Sequence, residues 1–109
     1  MVKLIYVFTR KPGMSVEEFQ RYWRETHGPI AARIPGVRRY VQCHVLPELY
    51  ERDEQPAYDG AAELWFDDLD ALRQAFRSPE VLAARENEAE FIDHSRSFLI
   101  ITEEKLVVE

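Results

Sequence analysis

Two side chains in the first half of the chain have the chemistry needed to move a proton. His27 stands directly before Gly28 and Pro29, and an imidazole can take up and return a proton near neutral pH. Tyr40 carries a phenol, which could polarise a carbonyl or hold an enolate-like oxygen. Structural roles are also open for both. The histidine could bond the last carbonyls of a helix, and the tyrosine could be a core residue with a paired hydroxyl.

Other residues could shape a binding site around this pair. Gln42 lies two positions after Tyr40, on the same side of a predicted strand, and could orient a substrate oxygen. His44 is next on that side, but it nears a charged loop and is expected to be solvated. Four aromatic residues could either wall a pocket or fill the core, and these are Trp23, Trp65, Phe76 and Phe91.

Motifs for several other kinds of chemistry are missing. The three histidines, His27, His44 and His94, lack the close spacing that is typical of a metal site. The chain has neither a Gly-rich phosphate loop nor a dinucleotide fingerprint, and Ser95 and Ser97 lack the context of a nucleophile elbow. These features favour chemistry without a metal or an organic cofactor.

Composition limits the class of protein. A length of 109 residues predicts a single domain over residues 1–109, and the net charge of -6 argues against a nucleic-acid partner. No apolar run approaches the length of a membrane span, and residues 1–9 do not resemble a signal peptide. We therefore predict a cytoplasmic protein without a membrane partner. The single cysteine, Cys43, excludes an internal disulfide and is predicted to be a buried thiol.

The elements that must position these residues follow from local patterns. Residues 3–9 are rich in β-branched and aromatic side chains and predict a strand. A capping box starting at Ser15 begins a helix, which Gly28 and Pro29 are predicted to end. Alternation over residues 37–46 predicts a second strand with one polar and aromatic side.

The second half of the chain predicts one more helical region flanked by strands. In order, the patterns indicate a surface loop over 47–57, a strand over 58–66, a helix capped by Asp67-Asp68, a restart at Ser78-Pro79 with a helix to about Ile92, and a strand from Phe98 to Ile101 that extends toward Val108.

This order of elements predicts an α+β protein with the ferredoxin-like βαββαβ fold and a four-stranded antiparallel sheet. Both helical regions must cover one face of the sheet. The other face is also apolar, since the strands carry apolar or aromatic residues on both sides: Leu4, Tyr6 and Phe8 alternate with Ile5 and Val7, and Leu64 and Phe66 alternate with Trp65. An apolar face of this size is not normally left in water, so the sequence predicts a homodimer that pairs through the sheet faces.

Three segments of the sequence resemble the EthD family. They are residues 22–29 (YWRETHGP), 35–42 (PGVRRYVQ) and 58–66 (YDGAAELWF). The resemblance covers nearly the whole chain, and its most specific parts are the His-Gly-Pro after the first helix and the Tyr-Asp-Gly that opens the third strand. It implies a dimeric α+β barrel with a cleft between sheet and helices, and chemistry without metal or organic cofactor. In similar lactone methyl-isomerases, a histidine and a tyrosine line the cleft at the positions of His27 and Tyr40.

The resemblance implies an enzyme of catabolism or secondary metabolism that transfers a proton in a cyclic or aromatic carbonyl compound. The reaction would be an isomerisation, dehydration, decarboxylation or cyclisation, since similar proteins include polyketide-type dehydratases and decarboxylases. Two alternatives are a cofactor-free monooxygenase or other oxidoreductase that acts on a quinol-like substrate, and a non-catalytic ligand-binding or accessory protein of an ether-degrading oxidation system. Oxygen dependence separates the two enzyme classes, and a filled cleft would favour the accessory role.

Overall fold

The computed structural model describes residues 1–109 and contains one antiparallel sheet of four strands. The strands are β1 (Val2–Arg10), β2 (Arg39–His44), β3 (Gly60–Phe66) and β4 (Ile92–Thr102), and their order in the sheet is β2-β3-β1-β4. β1 pairs with both β3 and β4, so the first and last strands of the chain are neighbours. This arrangement confirms the predicted ferredoxin-like α+β fold.

Helices cover one face of the sheet. They are α1 (Val16–Tyr22), a π-helical continuation (Trp23–His27), α2 (Gly28–Ala31), α3 (Leu69–Phe76) and α4 (Pro79–Glu88). Three of them begin at side-chain caps, because Ser15, Asp68 and Ser78 each accept a hydrogen bond from a backbone N–H three residues later.

The predicted helix end at Gly28 and Pro29 is wrong, because the chain continues helically through α2. Gly28 adopts right-handed helical angles, and its N–H donates to the carbonyl of Trp23 across the wider π turn. Pro29 then occupies the first turn of α2, where its missing N–H costs little. The wide turn therefore places Trp23 at its beginning and His27 at its end.

The boundary between α4 and β4 also differs from the prediction. α4 ends at Glu88, and a short turn closes with a hydrogen bond of 3.1 Å from Phe91 N to Glu88 O. β4 begins at Ile92 rather than Phe98 and ends at Thr102. Residues 93–97 at the start of this strand are all polar, so they lack the apolar alternation that predicts a strand. The register of β1 with β4 also shifts after Phe8, as at a bulge.

The core lies between the sheet and the helices. From β1, Leu4 and Phe8 point into it, where they meet Phe19 and Trp23 of the first helical segment and Phe91 after α4. The rings of Phe8 and Trp23 are 4.9 Å apart and nearly perpendicular, which is a favourable edge-to-face contact. This packing holds the π-helical turn against the sheet. None of the helices is long and apolar enough to cross a membrane.

The opposite face of the sheet carries no helix. Its centre is charged: Lys3 lies 3.3 Å from Glu63, and Trp65 donates a hydrogen bond of 2.7 Å to Glu104. Apolar side chains surround this centre, and Ile100 is 49% exposed. Cys43 was expected to be buried, but it is exposed. In the sheet it pairs with Ala61 of β3, and this register places its side chain on the uncovered face.

Candidate active site

A cavity of about 780 Å³ lies between the helix-covered face of the sheet and the helices. Seventeen of its 23 lining residues are hydrophobic, so the space suits a small and largely apolar ligand. His27 and Tyr40 both line it, and so do Trp23 and Phe76. The structure therefore brings the two predicted proton-handling side chains to one cavity.

His27 is held in place by an amide. The π-helical turn ends at His27, whose side chain is buried, and its Nδ1 lies 2.9 Å from Oδ1 of Asn87 on α4. The amide nitrogen of Asn87 donates in turn to the hydroxyl of Tyr22 at 2.8 Å, which leaves the amide oxygen for the imidazole. The ring also packs 4.7 Å from that of Phe91. These two contacts, with the Asn87 amide and the Phe91 ring, orient the imidazole.

The Asn87 contact also determines which nitrogen of His27 carries the proton. Because the amide oxygen only accepts, the neutral imidazole donates from Nδ1 and keeps a lone pair on Nε2. Burial lowers the pKa of His27, outweighing the opposing effect of the Asn87 hydrogen bond, so the ring is neutral at pH 7. No fully buried side-chain N or O lacks a partner, so the unpaired Nε2 is accessible. The imidazole can therefore act as a base.

Tyr40 is prepared as a hydrogen-bond donor. Its hydroxyl oxygen accepts a bond of 2.8 Å from Nε2 of Gln42, which leaves the hydroxyl proton free for a ligand. Burial raises the pKa of Tyr40, and the charge of Glu88 acts in the same direction, so the phenol stays protonated at neutral pH. Gln42 is itself fixed between the carbonyl of Trp23 and the ring of His44.

The remaining predicted binding residues occupy different places. Trp23 and Phe76 contribute to the cavity wall. Gln42 lies behind Tyr40, in a shallow depression outside the main cavity, and Phe91 is fully buried behind His27. Trp65 is on the opposite face of the sheet, beside Lys3 and Glu104, because its position in β3 alternates away from the helices.

The Tyr-Asp-Gly segment supports the site from below. A Cβ at Gly60 would come within 2.5 Å of the Trp23 ring, so only glycine lets the indole pack against the start of β3. Asp59 is buried, where it accepts hydrogen bonds of 2.7 Å from both the backbone and the guanidinium of Arg10. Tyr50, in a 3₁₀ turn (Pro47–Glu51) of the predicted surface loop, also donates to Asp59.

Three polar residues of the site were not predicted from the sequence: Asn87, Glu88 and Tyr6. Glu88 follows the buried Val81 and Ala84 of α4 at helical spacing, so a carboxylate stands where an apolar residue would continue the stripe. That interruption was the available signal for Glu88. Tyr6 lies between the core residues Leu4 and Phe8 at the two-residue spacing of β1, so it shares their face of the sheet. No group of three or more His, Cys, Asp or Glu side chains is arranged to hold a metal ion.

Residues 11–95 match the model of the EthD domain. The chain belongs to the EthD family. A crystal structure of an EthD (ethyl tert-butyl ether D) family protein from Bacillus halodurans shares 27% identity with it, covers 96% of this chain and 99% of that one, and superposes with a TM-score of 0.76. No curated protein matches the chain.

More distant structures show the same fold. A dimeric protein of ferredoxin-like fold from Bacteroides fragilis has 24% identity, coverage of 94% of both chains and a TM-score of 0.65. SnoaB, a cofactor-independent oxygenase from Streptomyces nogalater, has 20% identity, covers 98% of this chain and 95% of that one, and has a TM-score of 0.66. At these identities the likeness concerns the fold alone.

Proposed function

We propose that this EthD-family protein is an enzyme that binds a small cyclic or aromatic carbonyl compound in the cavity. It moves a proton next to the carbonyl without a metal or an organic cofactor. One observation carries the proposal: the neutral imidazole of His27 and the protonated phenol of Tyr40 line the same apolar cavity. Base and oxyanion donor are thus available to one ligand.

The chemistry follows from these two side chains. Nε2 of His27 takes a proton from the carbon beside the carbonyl. The electron pair of that C–H bond forms a C=C bond, and the π pair of the C=O bond moves onto the oxygen. The resulting enolate oxygen accepts a hydrogen bond from Tyr40, whose own oxygen is held by Gln42. Return of the proton to another carbon gives an isomer. Loss of a β-hydroxyl group, protonated by the imidazolium, gives dehydration instead.

Hydrogen exchange into an aromatic ketone tests this chemistry without knowledge of the natural substrate. Proton NMR would follow the loss of the α-protons of 1-tetralone in D₂O at pD 7.5, with and without enzyme. General-base catalysis contributes about 10²–10⁴-fold, so His27→Ala should lower the catalysed exchange by at least about 100-fold. Tyr40→Phe should lower it as well, whereas Tyr58→Phe, at an exposed tyrosine, should not. Full exchange activity in His27→Ala would refute the proposal.

Cofactor-independent oxygenation is a second candidate. The same base would deprotonate a quinol-like substrate, and the electron-rich anion would then pass electrons to O₂ in an apolar space. Substrate turnover that consumes O₂ and stops under nitrogen would favour this reaction. Ketone exchange that continues anaerobically would favour proton transfer alone. A binding or accessory protein would show affinity for such ligands with neither activity.

We also propose that two copies pair through the uncovered faces of their sheets. Phe98 and Ile100 are 46% and 49% exposed on this face in the single chain, although their neighbours in the sheet are apolar. A second copy would cover them, and a two-fold axis would bring each charged Lys3–Glu63 centre near its symmetry mate. From the sequence we also propose that the protein is located in the cytoplasm.

The dimer can be tested by mass and by thiol access. Light scattering should give twice the chain mass for the native protein and a lower mass for Ile100→Glu. Leu106→Glu, at a residue 80% exposed beyond the sheet, is the matched control and should remain dimeric. Cys43 lies on the uncovered face, so its reaction with a thiol reagent should quicken in Ile100→Glu. A monomeric native protein would contradict the proposal.

A further inference from the structure

A second polar cluster interrupts the apolar wall of the cavity. Oε1 of Glu88, at the end of α4, accepts a hydrogen bond of 3.0 Å from Nε2 of His94 and a longer one of 3.5 Å from the hydroxyl of Tyr6. All three side chains line the cavity that contains His27 and Tyr40. In the mechanism above none of the three touches the substrate.

The carboxylate of Glu88 is only partly satisfied within the chain. Both donors reach the same oxygen, Oε1, and Oε2 makes no hydrogen bond. Since no fully buried side-chain N or O lacks a partner, Oε2 is accessible. The side chain is only 15% exposed, and His94, which bonds its Oε1, is itself half-exposed. A carboxylate in such surroundings is stabilised by any further donor.

The register of the sheet separates this cluster from Tyr40. Tyr40 pairs with Leu64 and through it with Leu4, whereas Tyr6 lies two residues further along β1. The two tyrosines are also two strands apart in the sheet. With strand spacings near 4.8 Å and a rise near 3.4 Å per residue, their backbone positions are about 12 Å apart. Both side chains line the same cavity, so one molecule in it can meet both.

We propose that Glu88 binds a hydroxyl group of the substrate at the end of the cavity away from Tyr40. Oε2 accepts the hydroxyl proton, while Tyr6 and His94 hold the carboxylate in position through Oε1. The substrate class is therefore a hydroxylated cyclic or aromatic ketone, with its carbonyl at Tyr40 and its hydroxyl at Glu88. This inference rests on the proposed function, because it uses the same cavity and the same carbonyl position.

A matched pair of ligands tests the inference by binding rather than turnover. Calorimetry would compare 6-hydroxy-1-tetralone, which has a carbonyl and a distant phenol, with 1-tetralone, which lacks the phenol. A hydrogen bond to a charged group corresponds to about a tenfold or larger gain in affinity, so the native protein should prefer the hydroxylated compound by that factor. Glu88→Gln should lose most of this preference, which is read as the ratio of the two affinities measured within the same variant. Glu90→Gln, with the same charge change at an exposed residue, should keep it.

A second variant guards against misfolding. Glu88→Asp keeps the charge but withdraws the carboxylate by one methylene, and it should also lose most of the preference. If Glu88→Gln and Glu88→Asp both retain the preference, the inference is overturned while the proposed proton transfer at His27 stands. If the preference disappears as expected but 1-tetralone shows no α-exchange, the binding site is supported and the proposed chemistry fails. If the native protein binds neither compound, both the binding site at Glu88 and the proposed proton transfer are refuted.

Discussion

Replacing Asn87 with aspartate should change the proton affinity of His27 while keeping its orientation. The two side chains are joined by the contact of 2.9 Å between Nδ1 and the amide oxygen, and aspartate offers an oxygen at the same place. In the native chain burial lowers the pKa of His27, because a charged imidazole would be poorly solvated there. A carboxylate partner opposes that effect by stabilising the imidazolium.

The size of the change can be worked from the geometry. An opposite charge within hydrogen-bonding distance shifts a pKa by about 1–3 units, and each unit corresponds to about 1.4 kcal/mol. The hydroxyl of Tyr22, which accepts from Asn87, can rotate to donate to the new carboxylate and so moderates its charge. We therefore expect the pKa of His27 in Asn87→Asp to rise by about 1–2 units relative to the native protein.

Two measurements would detect this shift. Nitrogen NMR of the imidazole should show protonation of His27 at higher pH in the variant. The acid limb of the pH profile of tetralone exchange should move upward by the same amount, so that exchange at a pH below the native pKa of His27 falls about tenfold or more and recovers in alkaline buffer. Gln74→Glu adds the same charge at an exposed position of α3 and should change neither. An unchanged titration of His27 in Asn87→Asp would show that the contact is absent in solution, which would refute the reasoning.

Three further perturbations test the supports of the site. Gly60→Ala should cost about 1–3 kcal/mol in urea unfolding and weaken tetralone binding, since a Cβ would lie 2.5 Å from the Trp23 ring; native stability in this variant would contradict the packing argument. Asp59→Asn should cost about 2 kcal/mol in the same assay, because Arg10 loses a buried partner but is itself one-third exposed; a native midpoint would show that the pair contributes little. The pKa of His27 is lower in the folded protein than in the unfolded chain, where it is near 6.5. The free energy that the neutral ring contributes to stability is therefore present above pH 6.5 and is lost as the pH falls below that value. Unfolding curves at pH 7.5 and 5.5 should therefore differ less for His27→Gln than for the native chain, and an equal difference would rule out this linkage.

The two faces of the sheet could be predicted because strand alternation is a local property. Leu4 and Phe8 were placed opposite Ile5 and Val7 by period two alone, and the register confirms that separation. Helix starts were equally accessible, because capping depends on a few adjacent residues. The continuation of the helix past Gly28 was not, since it depends on a π turn that packing of Trp23 against β3 favours.

The candidate site was predictable only in part. His27 and Tyr40 could be named from their chemistry and from the family resemblance, and the structure places both at one cavity. Asn87 could not, because its role depends on how α4 packs beside the end of the first helical segment, far away in sequence. Trp65 shows the converse. An aromatic residue suggests a pocket, but which face it occupies depends on one step of register.

The last turn of α4 supplies adjacent residues to two different partners. Asn87 bonds the imidazole of His27, and Glu88 bonds Tyr6 and His94 on the sheet. Neighbouring positions on an α-helix are about 100° apart, so a twist of this turn moves both side chains together. A ligand that forms a hydrogen bond to Glu88 therefore also shifts Asn87, the hydrogen-bond partner of His27. Affinity at one end of the cavity and basicity at the other should be thermodynamically linked, and a double-mutant cycle between the two residues should show non-additive effects.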